Sequence, residues 1–202
     1  MPALSKGTYD ATFSFDGDEQ YYDSKNSAKI TVLPSLFENK DYSVYYGNTI
    51  NYKVRVKGSD GKYDAGNIVT IKVNGQTFKV QTDKNGYATK TLKLKVGSYT
   101  ITSEFNGDKV SNKITFKPTL IAKNIVKKKA KKIKFSVKVV DKNGKAVKKK
   151  KVTFKIKGKK YTAKTNKKGV ATATIKNLKA GKFTITSSYG GCSIKNTIKI
   201  KK

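Results

Sequence analysis

Thr165-Asn166-Lys167-Lys168-Gly169-Val170-Ala171-Thr172 repeats Thr82-Asp83-Lys84-Asn85-Gly86-Tyr87-Ala88-Thr89. Each octet reads as a polar turn closed by glycine and followed by an alternating strand. The match extends in both directions. Upstream, Phe154-Lys155-Ile156-Lys157-Gly158 corresponds to Ile71-Lys72-Val73-Asn74-Gly75. Downstream, Gly181-Lys182-Phe183-Thr184-Ile185-Thr186-Ser187 corresponds to Gly97-Ser98-Tyr99-Thr100-Ile101-Thr102-Ser103. The proline junctions Ile30-Thr31-Val32-Leu33-Pro34-Ser35-Leu36 and Ile114-Thr115-Phe116-Lys117-Pro118-Thr119-Leu120 lie 84 residues apart, with a one-residue slip near Leu94 and Leu178. Self-similarity at a fixed period decides the architecture.

A third, partial copy opens the chain. Leu4-Ser5-Lys6-Gly7-Thr8-Tyr9 matches Leu94-Lys95-Val96-Gly97-Ser98-Tyr99, and Phe15-Asp16-Gly17-Asp18 matches Phe105-Asn106-Gly107-Asp108. Residues 1–34 are therefore expected to be the closing hairpin of a preceding domain. Residues 35–117 form one complete domain in this reading, and 118–202 a lysine-rich second. A lone hairpin is marginal in water. It is expected to be loosely ordered, to pack on the next domain, or to pair with another chain. Met1 reads as an artificial or truncated start.

The periodicity within each unit is two. Phe135, Val137 and Val139 alternate with Lys134, Ser136 and Lys138, and Val152, Phe154 and Ile156 alternate with Thr153 and Lys155. Turn signals separate these runs: Ser59-Asp60-Gly61, Asn74-Gly75, Lys84-Asn85-Gly86, Asn106-Gly107 and Asn143-Gly144. The regular apolar pattern argues against disorder, and no segment reads as an amphipathic helix. The expected fold class is all-β: tandem Ig-like antiparallel β-sandwich domains of about seven strands each. Proline restricts itself and its predecessor to extended shapes. The short junctions at Pro34 and Pro118 thus predict domains placed end to end as a semi-rigid rod.

Val140-Asp141-Lys142-Asn143-Gly144-Lys145-Ala146-Val147, Val152-Thr153-Phe154 and the octet from Thr165 to Thr172 resemble the Ig-like repeats of bacterial invasin- and intimin-type adhesins. The Lys-, Asn- and Tyr-rich dress, with Phe15-Asp16-Gly17-Asp18 and Tyr21-Tyr22-Asp23-Ser24, is closer to adhesin-like surface proteins of methanogenic archaea. The resemblance implies a secreted, cell-surface or wall-associated protein of many such domains. It specifies a fold and hardly a ligand.

Composition narrows the chemistry. The 202 residues include no His, no Trp and one Cys. The commonest acid–base catalyst and metal ligand is thus missing. Cys192 can form no internal disulfide and offers no zinc spacing; it reads as an incidental strand or turn residue. Nucleophile motifs, phosphate loops and dinucleotide-binding glycines are absent, so no enzyme, cofactor or metal site is expected. Asp16, Asp18, Glu19 and Asp23 cluster without the spacing of a calcium loop and read as turn residues. Glu104 is the acid considered for an internal isopeptide bond, and alternation from Ile101 points it outward. No stretch approaches the length of a membrane span. The N-terminus lacks the layout of a signal peptide, so an export signal is expected outside this sequence.

The net charge of +32 is graded. Residues 118–202 carry 28 Lys against one acid, Asp141, whereas residues 1–35 carry 3 Lys against 5 acids. Repulsion at this density opposes folding, so the gradient points to a counter-charge. Lysine runs fall at expected loops: Lys127, Lys128 and Lys129; Lys131 and Lys132; Lys148, Lys149, Lys150 and Lys151; Lys159 and Lys160; Lys167 and Lys168. These are the candidate polyanion-binding residues, their partner an anionic cell-wall or glycan polymer. Any single run on its own reads as a solvated surface; the gradient across the chain carries the binding reading. Arg55 is the only arginine, and base-edge recognition leans on Arg. Sequence-specific nucleic-acid binding is therefore not expected, and no oligomeric state is indicated. The leading expectation is a non-catalytic structural or adhesive stalk segment, extracellular or wall-bound. The alternative is a dedicated polyanion-binding module.

Overall fold

The computed structural model describes residues 4, 6–58, 61–63 and 65–202. The expected turn at Ser59-Asp60-Gly61 lies partly outside the described residues. Among those residues the structure is all strand and turn, with no helix. Strands β1 (Gly7–Phe15) and β2 (Ser24–Val32) form an antiparallel hairpin in unbroken register from Gly7↔Val32 to Phe15↔Ser24.

Next come β3 (Leu36–Phe37), β4 (Tyr42–Tyr45), β5 (Ile50–Val56), β6 (Ile68–Val73), β7 (Gln76–Gln81), β8 (Tyr87–Leu92), β9 (Gly97–Phe105) and β10 (Asp108–Lys117). They make a three-stranded sheet, β3-β5-β8, and a five-stranded sheet, β4-β10-β9-β6-β7. The pattern recurs in β11 (Leu120–Ile121), β12 (Ile125–Lys128), β13 (Lys132–Val139), β14 (Lys151–Ile156), β15 (Lys159–Lys164), β16 (Val170–Lys176), β17 (Gly181–Tyr189) and β18 (Cys192–Lys201). Their sheets are β11-β13-β16 and β12-β18-β17-β14-β15. These are two Ig-like β-sandwiches of one topology. By contact density the chain parts into two compact units that do not coincide with the sandwiches, one of Met1–Asp41, Asn51–Thr91 and Tyr99–Lys113, the other of Tyr42–Ile50, Leu92–Ser98 and Ile114–Lys202.

Each sandwich has eight strands because its entry strand divides. The first half (β3, β11) pairs antiparallel in the small sheet. The second half (β4, β12) crosses to the large sheet and runs parallel to the last strand, β10 or β18. A side-chain oxygen fixes each crossing: Asp41 Oδ1 accepts the Lys113 N–H at 2.8 Å, and Asn124 Oδ1 accepts the Thr197 N–H at 2.8 Å. The pairs β6–β7, β6–β9, β13–β16, β14–β15, β14–β17 and β17–β18 are antiparallel, and each strand turns one face to the core.

The second core stacks Leu120, Phe135 and Ile175 from the small sheet against Phe154, Ile185 and Ile198 from the large one, all buried. Two-residue turns join β6 to β7 at Asn74-Gly75 (φ 50° and 73°) and β14 to β15 at Lys157-Gly158 (φ 47° and 73°). Positive φ at both residues matches the twist of the flanking strands. The glycine that closes the repeated octet has a second duty. A Cβ on Gly86 or Gly169 would come 2.8 Å from the carbonyl oxygen of Val56 or Val139.

One core position separates the two sandwiches. Tyr52 is fully buried and its hydroxyl donates to Asn112 Oδ1 at 3.0 Å, with Ser103 Oγ at 3.1 Å. In the second sandwich Phe135 stands where Tyr52 does, Ser187 where Ser103 does and Asn196 where Asn112 does. Ser187 Oγ and Asn196 Oδ1 are the buried side-chain atoms without a hydrogen-bond partner among the described residues. The missing phenol hydroxyl accounts for both.

Asp108 opens β10 and is buried. Burial pushes its carboxyl up, but the N–H of Ser35, the Lys6 ammonium and the N–H groups of Lys109 and Leu36 outweigh this and hold it below the usual range. The Ser35 bond is 2.9 Å and the Lys6 pair 3.1 Å. Cys192, also buried, stands at the matching place in β18. A carboxyl whose pKa falls on folding stabilises above its unfolded value and ceases to do so as pH drops through the folded one. Strands around Asp108 are therefore expected to lose hydrogen-exchange protection below about pH 4, and Asp108→Asn to flatten that dependence. Protection of β13–β18, where Cys192 replaces the acid, should hold steady from pH 7 to pH 3. Equal acid sensitivity in both sets of strands would contradict this.

Candidate polyanion-binding surface

Every lysine in the expected runs is exposed, but the runs are not all loops. Lys127 and Lys128 lie on β12, Lys132 opens β13, Lys151 opens β14, and Lys159 and Lys160 open β15. Lys129 and Lys131 sit between β12 and β13, and Lys148 to Lys150 precede β14. Lys167 and Lys168 occupy a turn in which Asn166 Oδ1 accepts the N–H groups of Lys168 at 2.9 Å and Val170 at 3.0 Å. The loop before β14 is pinned, since the Lys150 N–H donates to Thr165 Oγ1 at 2.9 Å and the Lys149 N–H to the Thr165 carbonyl at 2.9 Å. The correction has a simple origin. A lysine at a turn followed by one at the first outward strand position reads as a single run.

The topology gathers a second set of lysines that the runs do not reveal. Buried Val152, Phe154, Ile156, Ile185, Ile198 and Ile200 define the inward side of the large sheet. By alternation the intervening residues face outward. Register then sets Lys155 opposite Lys160, Lys151 opposite Lys164 and Lys182 opposite Lys199. Thr153 pairs with Thr162 and with Ser188, and Thr184 with Thr197, filling the spaces between them. The outer face is thus mainly ammonium and hydroxyl, with the exposed Val126 beside Lys199 at the β12 edge, and it carries no carboxylate. Asp141, the one acid of this segment, caps its own turn by accepting the N–H groups of Asn143 at 2.8 Å and Lys145 at 2.9 Å.

The first sandwich handles charge differently. On its large sheet Glu104 pairs with Lys72 at 2.7 Å and Lys109 at 3.4 Å, and the Lys72 contact is foremost in holding its carboxyl below the usual range. Glu104 is thus an outward ion-pair residue, in the orientation alternation gives it. On the small sheet Arg55 pairs with Glu38 at 2.7 Å and lies 3.7 Å over the Tyr63 ring. The Tyr87 hydroxyl donates to Glu38, and the Arg55 Nε donates to the Asn85 carbonyl at 2.9 Å. Those bonds from Tyr87 and then Arg55 hold Glu38 low, and the bond to Glu38 raises Tyr87. This cluster was not visible in the sequence beyond Arg55 being unique. Among the described residues no ion pair involves β11 to β18.

In the hairpin, Asp18 Oδ1 accepts the N–H groups of Gln20 at 2.9 Å and Tyr21 at 2.8 Å, the work of a turn residue. Among the described residues no three acidic, His or Cys side chains gather as a metal site. No helix there is long and apolar enough to cross a membrane.

Residues 118–201 fit the family described as Bacterial Ig-like domain (group 1). No curated protein matches the chain in sequence. Among solved structures, the D0-D1 domain of intimin is 21% identical, covers 83% of this chain and 100% of its own, and has a TM-score of 0.38. Invasin, a bacterial integrin-binding protein, is 19% identical over 85% of this chain and 39% of its own, with a TM-score of 0.36. The I9-I11 tandem of titin is 16% identical over 88% of this chain and 70% of its own, with a TM-score of 0.37. These likenesses, with the family match over residues 118–201, are those of an Ig-like fold.

Proposed function

We propose that this chain is a non-catalytic, load-bearing segment of a cell-surface protein, whose basic last repeat holds it to an anionic wall polymer. Domain boundaries at Pro34 and Pro118 belong to this reading, with residues 1–34 the closing hairpin of a further repeat. The Lys-, Asn- and Tyr-rich composition of the repeats, beside the phrases Phe15-Asp16-Gly17-Asp18 and Tyr21-Tyr22-Asp23-Ser24, supports an archaeal adhesin-like origin within this reading. The observation that carries the mechanical part is the parallel pairing of the entry and exit strands. β12 and β18 lie side by side from Ile125↔Ile198 to Lys128↔Lys201, and β4 and β10 from Tyr42↔Ile114 to Tyr45↔Lys117. Tension on the two ends of such a domain pulls these strands along each other. Their hydrogen bonds are then loaded together rather than one at a time.

The test is single-molecule extension. The Lys129 N–H donates to the Lys201 carbonyl at 3.1 Å, and ladder donors alternate along a strand, so the Lys127 N–H belongs to the same ladder. Lys127→Pro removes that donor and is expected to lower the unfolding force of the last domain. Lys128→Pro, whose N–H points away from β18, should lower it less. Equal forces for both variants and the parent would defeat the mechanical reading. The alternative, a dedicated polyanion-binding module, is favoured by the acid-free face of the second sandwich. It predicts binding to wall material that weakens steeply with salt.

A further inference from the structure

We infer that the outward face of the large sheet in the second sandwich is the surface that takes the polymer, and that its ligand is an acidic polysaccharide. This rests on the reading that the basic repeat holds an anionic wall polymer, and it names the face and the chemistry. Lys155 and Lys160, Lys151 and Lys164, and Lys182 and Lys199 are directly opposed pairs. Cβ atoms so placed lie about 4.5–5.5 Å apart, and like charges there are destabilising.

The first sandwich is an internal control for that cost. Its matching positions are Lys72 and Thr77, Ile68 and Gln81, and Ser98 and Thr115, with no opposed lysine pair among them. Its one acid on this face, Glu104, becomes Ser188. The same fold therefore stands without these pairs. An external anion lying across the sheet would relieve all three at once.

The chemistry of the face selects among polymers. Lysine ammoniums are point charges without the bidentate fork that guanidinium offers to phosphate. Between them stand Thr153, Thr162, Thr184 and Ser188, hydroxyls suited to a ligand that alternates charge with hydroxyl groups. The aromatic residues of these strands, Phe154, Tyr161, Phe183 and Tyr189, alternate to the core side and pack with it. Bases would find no stacking platform there. The face of a five-stranded sheet also offers no helix to enter a duplex groove.

The experiment titrates the full chain with polygalacturonate, heparin and duplex DNA at several salt concentrations, with neutral dextran as reference. Lys155→Gln/Lys182→Gln/Lys199→Gln strips the face, and Lys148→Gln/Lys149→Gln/Lys168→Gln removes equal charge from the loops. The face variant is expected to bind both acidic polysaccharides about tenfold more weakly, with a salt slope lower by roughly two to three. The loop variant should lose clearly less. The melting temperature of the face variant should hold or rise, because opposed charges are relieved, so a binding loss cannot be put down to unfolding. Equal losses in the two variants would overturn the face while leaving wall attachment by net charge intact. DNA bound more tightly than either polysaccharide would overturn the ligand class. Absence of polysaccharide binding by the parent chain at low salt would overturn both this inference and the wall-holding reading.

Discussion

Phe154→Ala is expected to destabilise the second sandwich by about 3–5 kcal/mol, the range for emptying a fully buried aromatic position. Phe154 is fully buried and meets Phe135 edge to face, with ring centroids 6.3 Å apart. Domains of this size are stable by only about 5–15 kcal/mol. This one also carries 28 lysines against one acid, and that repulsion works against the folded state. The variant should therefore be largely unfolded at low ionic strength and regain structure in salt, which screens the lysines. Urea titrations at two salt concentrations, followed by hydrogen exchange in β13–β18, would measure this. A loss under 1 kcal/mol, or no response to salt, would refute it. At the equivalent Ile71 the penalty of truncation should depend far less on salt.

Tyr52→Phe is expected to cost the first sandwich about 1–3 kcal/mol, since removing one partner leaves buried polar atoms unmet. The substitution recreates in β5 what β13 already has, with Ser103 and Asn112 placed as Ser187 and Asn196 are. The reciprocal change, Phe135→Tyr, should return a partner to those two atoms and gain about 0.5–1.5 kcal/mol, the net worth of a hydrogen bond. Thermal melts of the two single variants test the pair. Opposite signs are required. If Phe135→Tyr destabilises, a hydroxyl does not fit between Ser187 and Asn196.

Much of this was legible in the sequence. Alternation such as Phe135-Ser136-Val137 and turn pairs such as Asn74-Gly75 mark strands and hairpins, because side-chain direction and turn backbone are local properties. The divided entry strand was not. Leu120-Ile121 and Ile125 to Lys128 are too short to show which sheet each joins, and parallel pairing with β18 depends on residues more than 70 positions away. Alternation marks Lys155 and Lys199 as outward, but not their gathering with Lys160 and Lys182 into one face. Lys155, Lys160, Lys182 and Lys199 lie on four strands, and only the register of those strands sets them side by side. Runs catch the eye in a sequence, whereas a face is assembled by folding. The Arg55 cluster was equally opaque, since Glu38, Tyr63 and Tyr87 reach it from separate segments.

The edge strand β15 has a consequence for biosynthesis. Neighbouring domains of similar sequence can exchange strands while they fold, a characteristic failure of repeat proteins. β15 carries Lys159, Lys160 and Lys164 along the open side of its sheet, and the matching strand β7 carries Gln76, Thr77 and Gln81. A strand from one copy offered to the other would meet a different charge pattern from its own. Charged edges discourage edge pairing in general. Here the difference between copies also gives each nascent strand a reason to prefer its own sheet, so the divergence in charge protects the fidelity of assembly as the chain leaves the ribosome.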